Sequence, residues 1–422
     1  MKSPETEQFA PSSSRTLFGH PWWVLGLPFL AAFLLFIQIL WAGWVYDDVE
    51  LFQINPKMRD WNSLWRTFTQ PFWQITSVSE IHTGYYRPIG GASFVLLYKL
   101  GFGTPFAYHL ASLTLHSMCS LLVARLATQI GLGNLAAAIA GITFAVYGGH
   151  VEAVAWASSL PDILAALFSL LAVSSFLKQK LFAPAIWLAL ALMSKESAIA
   201  TLLLMLGITI WGGSKPSVLL GLKPSIGVHR FPRIAMLLII AGGVYLARCG
   251  AFGNAYAGFD ITTTHHMLST WHQVLLALGL IGQYVAYLFW PLPNFPFQPL
   301  RVDVGPSDFA LWGPACFGGS VLLFAMVLWF WRSRRSLLIM IGVGLLFAGL
   351  APVLKTTSIG RYPFEQRFLY LPSLGFALLI GFWLTKIAQR VGRLPMLIPP
   401  AGLLLINLYS TLSATPNWKN EN

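Results

Sequence analysis

"PWWVLGLPFLAAFLLFIQILWAGWVYDDVELF", residues 21–52, decides the fold. From Trp22 to Val45 the chain carries no charge, and a run of that length can cross the roughly 30 Å hydrocarbon core of a bilayer as a helix. It then runs straight into Asp47 and Asp48, with Glu50 close behind. A carboxylate at a membrane edge loses solvation, so it has to be wet, paired or used. No small-residue cleavage site follows the run, which therefore reads as a retained first span and not as a cleaved signal.

The rest of the chain has the same character. Of its 422 residues 56% are hydrophobic and 10% charged, with 17 Trp and 30 Phe, too apolar and aromatic for a soluble two-domain protein. An all-α polytopic membrane protein is predicted. Apolar runs lie at roughly 23–45, 106–127, 133–148, 160–177, 181–194, 197–211, 234–250, 309–331, 337–354, 368–385 and 395–412, with two further helices at roughly 88–101 and 271–290.

The net charge of +12 would suggest nucleic acid in a soluble protein. Here Lys and Arg gather in short loops between apolar runs, as the positive-inside rule expects, so no nucleic-acid partner is implied. The clusters Lys178 and Lys180; Lys215, Lys223, Arg230 and Arg233; Arg332, Arg334 and Arg335; and Lys386, Arg390 and Arg393 are placed on the cytoplasmic side. Loops 46–87, 149–159, 251–270, 291–308 and 355–367 then face outward. Two features resist this topology. The first outer loop carries Lys57, Arg59, Arg66 and Arg87. Parity also requires 271–290, and by the same argument 88–101, to be re-entrant or to lie along the interface. Cys119, Cys249 and Cys316 are odd in number and lack metal-ligand spacing, so neither a disulfide framework nor a zinc site is indicated. The chain divides into a cytoplasmic arm (1–21), a membrane domain (22–413) whose first outer loop is 46–87, and a short outer tail (414–422).

Polar motifs concentrate at the outer helix ends. Asp47 and Asp48 point in different directions, so one can act as a general base while the other orients the loop; a solvated helix end is the plain alternative. Arg87 precedes Pro88, where a guanidinium suits a phosphate oxygen. His109 and His116 share a helix face and read first as buried histidines bonded to neighbouring helices. "YGGHVEAVAWASSLPD", residues 147–162, brings His150, Glu152 and Asp162 to one turn, a polar pocket or equally a transporter's proton relay. Lys195 and Glu196 stand side by side, as a structural ion pair or as a contact to an anionic headgroup. "RYPFEQRFLYLPSLGF", residues 361–376, offers Arg361, Glu365 and Arg367, with an arginine for phosphate and Glu365 to hold it.

In order along the chain, "YDDVELF", "YRPIGGASF", "FAYHLASLTLH", "HVEAVAW" with "LPDIL", "LALALMSKESA" and "QRFLYLPSLGF" resemble the GT-C superfamily of integral-membrane glycosyltransferases. The likeness is greatest to the protein O-mannosyltransferase branch, including the transmembrane members that carry tetratricopeptide repeats and their bacterial relatives. The chain departs from that pattern at Tyr147, Gly148 and Gly149, where a His-Pro is usual, at Gln366 in place of Glu, and at Leu160 in place of Arg. "ATPNWKNEN" resembles the junction leading into the repeat domain, so acceptor recognition is expected to use the membrane domain or a partner.

The resemblance implies a GT-C fold of roughly 11–13 membrane helices with amphipathic outer helices. It also implies transfer of a mannose-like hexose, with inversion, from a polyprenyl-phosphate donor to a hydroxyl of a protein, lipid or glycan. In this alignment Asp47 is the base and Asp48 the positioning acid. Arg367, Arg87 and Lys195 hold the donor phosphate, and His150, Glu152, Asp162 and Glu196 shape the sugar and acceptor pocket. No cofactor and no metal ligand is assigned; Mg²⁺ or Mn²⁺ between the paired carboxylates is the disfavoured alternative, because Arg and Lys supply the needed cations. A bacterial inner membrane with the site facing the periplasm is the expected setting. A transporter or lipid flippase is the competing class.

Overall fold

The computed structural model of the protein describes residues 16–17, 19–76, 84–211, 230–255, 269–294, 309–332, 337–350, 364–391 and 398–419. Arg361 and the basic clusters around 215–223 and 334–335 lie outside them. Apart from one two-residue strand pair, Thr16–Leu17 with His20–Pro21, the described regular structure is helical.

Every predicted apolar run is a helix, with ends moved by local chemistry. The first is α-helical from Trp22 to Phe36 and tightens to a 3₁₀ turn over Ile37–Trp41. Residues 42–45 are not helical, so Asp47 and Asp48 open a separate short turn instead of ending the span. Proline sits in the first turn of Pro88–Leu100, Pro105–Gln129 and Leu160–Leu177, where its missing N–H costs nothing and its φ suits the helix. Pro372 likewise opens Pro372–Val391, and the preceding Gln366–Leu369 is a separate tight turn. The run at 133–148 ends at Ala145 and continues, bent by 48°, as Gly148–Ala155.

By length and composition six described helices can cross a membrane, or seven if the bent pair is one span. They include Thr270–Phe289, a continuous 20-residue helix. Five further apolar helices, Pro88–Leu100 among them, are shorter. The protein is an integral membrane protein, and Arg230–Phe252 carries lipid-type exposure, with Phe231, Leu238, Ile239 and Leu246 all bare.

The central core joins the first helix to 105–129, 134–145 and 160–177 through Leu25, Phe36, Val123, Ala137, Phe144 and Ile163. Small residues bring helices close where lipid offers no hydrophobic drive: a Cβ on Gly318 would lie 1.8 Å from the Leu278 carbonyl oxygen, fixing helix 309–332 against 270–289. Three basic residues of the first outer loop are held within it or against helix 88–100. Lys57 Nζ donates to the Gln74 carbonyl at 2.7 Å, Arg59 Nε to the Tyr98 hydroxyl at 3.3 Å, and Arg66 faces Asp60 at 3.9 Å.

Candidate functional site

The turn that follows the first span is anchored by Asp48. Its side chain is fully buried, with Oδ1 accepting the Ser158 amide at 2.8 Å and Oδ2 the Val45 amide at 3.4 Å. Burial pushes its carboxyl up to about 8, against the pull of those amide donors. With Asp48 turned inward, Asp47 faces outward and is exposed. Partial desolvation raises its carboxyl and the nearby Arg367 guanidinium opposes that rise, which places the two groups within electrostatic reach.

Arg367 is the hub. It pairs with Glu365, its Nε stands 3.6 Å from Glu152 Oε1, and its guanidinium lies 4.4 Å from the centre of the Trp156 ring. Glu152 is buried in the short helix Val151–Ala155, and its Oε2 accepts the Gln366 amide at 2.9 Å. One carboxylate thus holds both the turn and the arginine on it. The other flank of the hub is Phe368, 5.7 Å from Arg367 and 5.1 Å from Lys195 Nζ.

Lys195 and Glu196 do not pair with each other. Lys195 has extended backbone, φ −157° and ψ 143°, which sends neighbouring side chains apart. Its Nζ lies 2.6 Å from both oxygens of Asp162 at the start of helix 160–177. Glu196 instead takes Arg87 in a two-pronged contact, with Nε to Oε2 at 2.8 Å, and Arg87 stacks 4.1 Å over Tyr85.

All three cations expected to hold phosphate therefore already carry a carboxylate partner. The N-termini of helices 88–100, 160–177 and 372–391 and the C-terminus of 182–194 converge on this end of the bundle, which is why residues far apart in sequence meet.

His150 stands apart from the charged cluster. Its Nε2 is bonded to Ser373 Oγ at 2.8 Å and its ring packs among Phe144, Tyr370 and His116. It is fully buried, and the contacts that hold it are core contacts. His116 bonds the Tyr370 hydroxyl at 2.8 Å and the Ala145 carbonyl at 3.1 Å, tying its helix to 134–145, and His109 bonds the Gly43 carbonyl at 3.3 Å, tying the same helix to the extended stretch after the first span.

Trp156, Phe368, Ser158 and Tyr284 were not singled out from the sequence. Tyr284 on helix 270–289 stacks on Phe364 at 4.5 Å and accepts the Glu365 amide at 3.1 Å. In a chain this rich in aromatics no spacing marks the three rings, and Ser158 contributes through its backbone amide, which any residue type would supply. Among the described residues no three His, Cys, Asp or Glu side chains converge as a metal site requires.

No protein-family model matches the chain. It is 25% identical to the protein O-mannosyl-transferase Tmtc1 of Drosophila melanogaster, over 92% of this chain and 55% of that protein. To human protein O-mannosyl-transferase TMTC3 it is 23% identical, over 90% of this chain and 45% of the relative. Against Drosophila melanogaster Tmtc2 the identity is 33%, over 41% of this chain and 20% of the relative. Among solved structures, the oligosaccharyltransferase of Archaeoglobus fulgidus, tethered to an acceptor peptide, aligns with 94% of this chain and 55% of its own at 14% identity and a TM-score of 0.45. The chain spans about half the length of the curated relatives it matches. Across that span the chain is similar in sequence to the protein O-mannosyl-transferases.

Proposed function

We propose that this protein is a membrane glycosyltransferase that moves a mannose-like hexose from a polyprenyl-phosphate donor to an acceptor hydroxyl, inverting the anomeric carbon. The observation that carries the reading is the exposed Asp47 within electrostatic reach of Arg367, whose guanidinium is held by Glu365, Glu152 and Trp156, in a chain similar over 92% of its length to a protein O-mannosyl-transferase.

The chemistry asks little of the protein. The leaving group is a phosphate monoester, stable as an anion, so no acid has to protonate it, unlike in glycoside hydrolysis. Asp47, raised but still reached by solvent, accepts the proton of the attacking hydroxyl. As the glycosidic C–O bond breaks, charge develops on phosphate and calls for fixed cations. Arg367 offers its Nη1 edge, since Nη2 is engaged by Glu365 and Nε faces Glu152. Arg87 is engaged through Nε and Nη2 and offers the same edge. Lys195, bonded to both oxygens of a buried Asp162, is the least available and holds the site from behind.

Glu152, Asp162 and Glu196 act in this reading through the cations they orient. These cations suffice without a metal ion. The acceptor is a protein hydroxyl by analogy with the relatives' names, and the site faces the periplasm of a bacterial inner membrane. In a flippase the ionisable groups belong near the midplane, whereas here they gather at helix ends.

The test is turnover of a polyprenyl-phosphate mannose by the purified protein in lipid, read as free polyprenyl phosphate, beside Asp47→Asn. Native turnover with a folded, inactive variant is expected. A variant with near-native activity would remove Asp47 as the base.

A further inference from the structure

Tyr46, immediately before Asp47, has φ +51°. A bulky non-glycine residue adopts that left-handed conformation only when its surroundings impose it. Two indoles do so. The Tyr46 ring packs edge-on to Trp156 at 6.0 Å and to Trp418 at 5.5 Å, and the two tryptophans lie 5.6 Å apart.

Trp418 is 2% exposed. It sits on the tight turn Thr415–Trp418 that continues helix Ile398–Ala414. The next residue, Lys419, accepts the Gly43 amide at 2.7 Å. This segment is fixed to the bundle independently of the loop: Thr411 Oγ1 donates to the Val146 carbonyl at 3.2 Å, and Ser410 Oγ to the Pro291 carbonyl at 2.7 Å. Trp156 in turn carries Arg367 on its face. One aromatic cluster therefore touches both Tyr46, which precedes Asp47, and the Arg367 guanidinium.

We infer that Trp418 is a positioning residue: with Trp156 it clamps Tyr46 in its left-handed conformation and so sets the direction of the Asp47 carboxylate. The inference rests on the glycosyl-transfer reading for its kinetic consequence, and on the contacts alone for its structural one. Asp48 fixes the far side of Asp47 to Ser158, so the clamp governs rotation of the near side.

The experiment pairs amide hydrogen exchange over residues 42–49 with donor kinetics, in full-length protein in lipid, for W418A, W418F and Y46A. In W418A exchange over 42–49 is expected to quicken while helix 105–129 keeps its protection. Its kcat should fall about 100-fold, the scale of an angstrom's misplacement, with the donor KM within twofold because Arg367 and Arg87 are untouched. W418F keeps an aromatic face and is expected to restore most of both readouts. Y46A, altering a loop residue 39% exposed, reproduces the W418A pattern even if W418A fails to insert.

Unchanged exchange over 42–49 in both alanine variants overturns the clamp, whether or not donor is consumed. So does quickened exchange with native kcat, or a loss of kcat shared with donor KM and with protection throughout the bundle. A native protein that consumes no donor refutes glycosyl transfer instead, and the exchange data still decide the clamp.

Discussion

Lys195 holds both carboxylate oxygens of Asp162 at 2.6 Å, and leaves its sequence neighbour Glu196 to Arg87. The pair is buried, 5% and 7% exposed, so each charge is viable only because the other is there. Removing one partner, as in Asp162→Ala or Lys195→Met, is expected to destabilise the protein by about 3–5 kcal/mol, whereas the double change Lys195→Met with Asp162→Leu recovers most of it. Thermal unfolding of the three variants in detergent checks this; a double variant as unstable as the singles would contradict it.

Asp48 makes the outer loop pH-sensitive. Its folded carboxyl is raised to about 8, whereas an unfolded aspartate titrates near ~3.9. Between those values the folded protein holds a proton that the unfolded chain has lost, so the contribution of Asp48 is complete in acid and is lost as pH rises through about 8. Loop 46–53 should exchange amides faster, after correction for intrinsic rates, at pH of about 9 than about 6. Asp48→Asn mimics the neutral form and should flatten that difference.

Arg367 serves two carboxylates and an indole with one planar group, which a lysine cannot copy. Arg367→Lys is expected to lower kcat/KM for the lipid donor by about 100-fold or more. Circular dichroism should remain native, since Glu152 keeps its bond to the Gln366 amide. A donor KM and kcat both within twofold of native would take phosphate binding away from this residue.

Gly148 occupies a place with no room for a side chain. A Cβ there would lie 2.3 Å from Ser410 Oγ and 2.6 Å from its Cβ, and the Gly148 amide and carbonyl are bonded to Asn407 and Asn294 at 2.9 and 2.8 Å. Gly148→Ala should cost about 1–3 kcal/mol through overpacking, seen as a lower unfolding temperature. Gly133→Ala, whose Cβ would meet nothing, is the control.

The sequence by itself determined that this chain lives in a membrane, where its helices run, and which ordered motifs it shares with the O-mannosyl-transferases. Apolar length, proline placement and charge-bearing helix ends are local properties, and local patterns record them. It also marked Asp47, Asp48, Arg87, Glu152, Glu365 and Arg367, because a charge beside an apolar run is conspicuous.

Tertiary structure alone decided the partners. Nothing local tells Lys195 to choose Asp162 over the adjacent Glu196, bonds His150 to Ser373, or places Trp418 beside Tyr46 across nearly the whole chain. Those pairings follow from which helix ends the packed bundle brings together, and side chains in a low-dielectric interior must satisfy their charges with whatever that packing puts in reach.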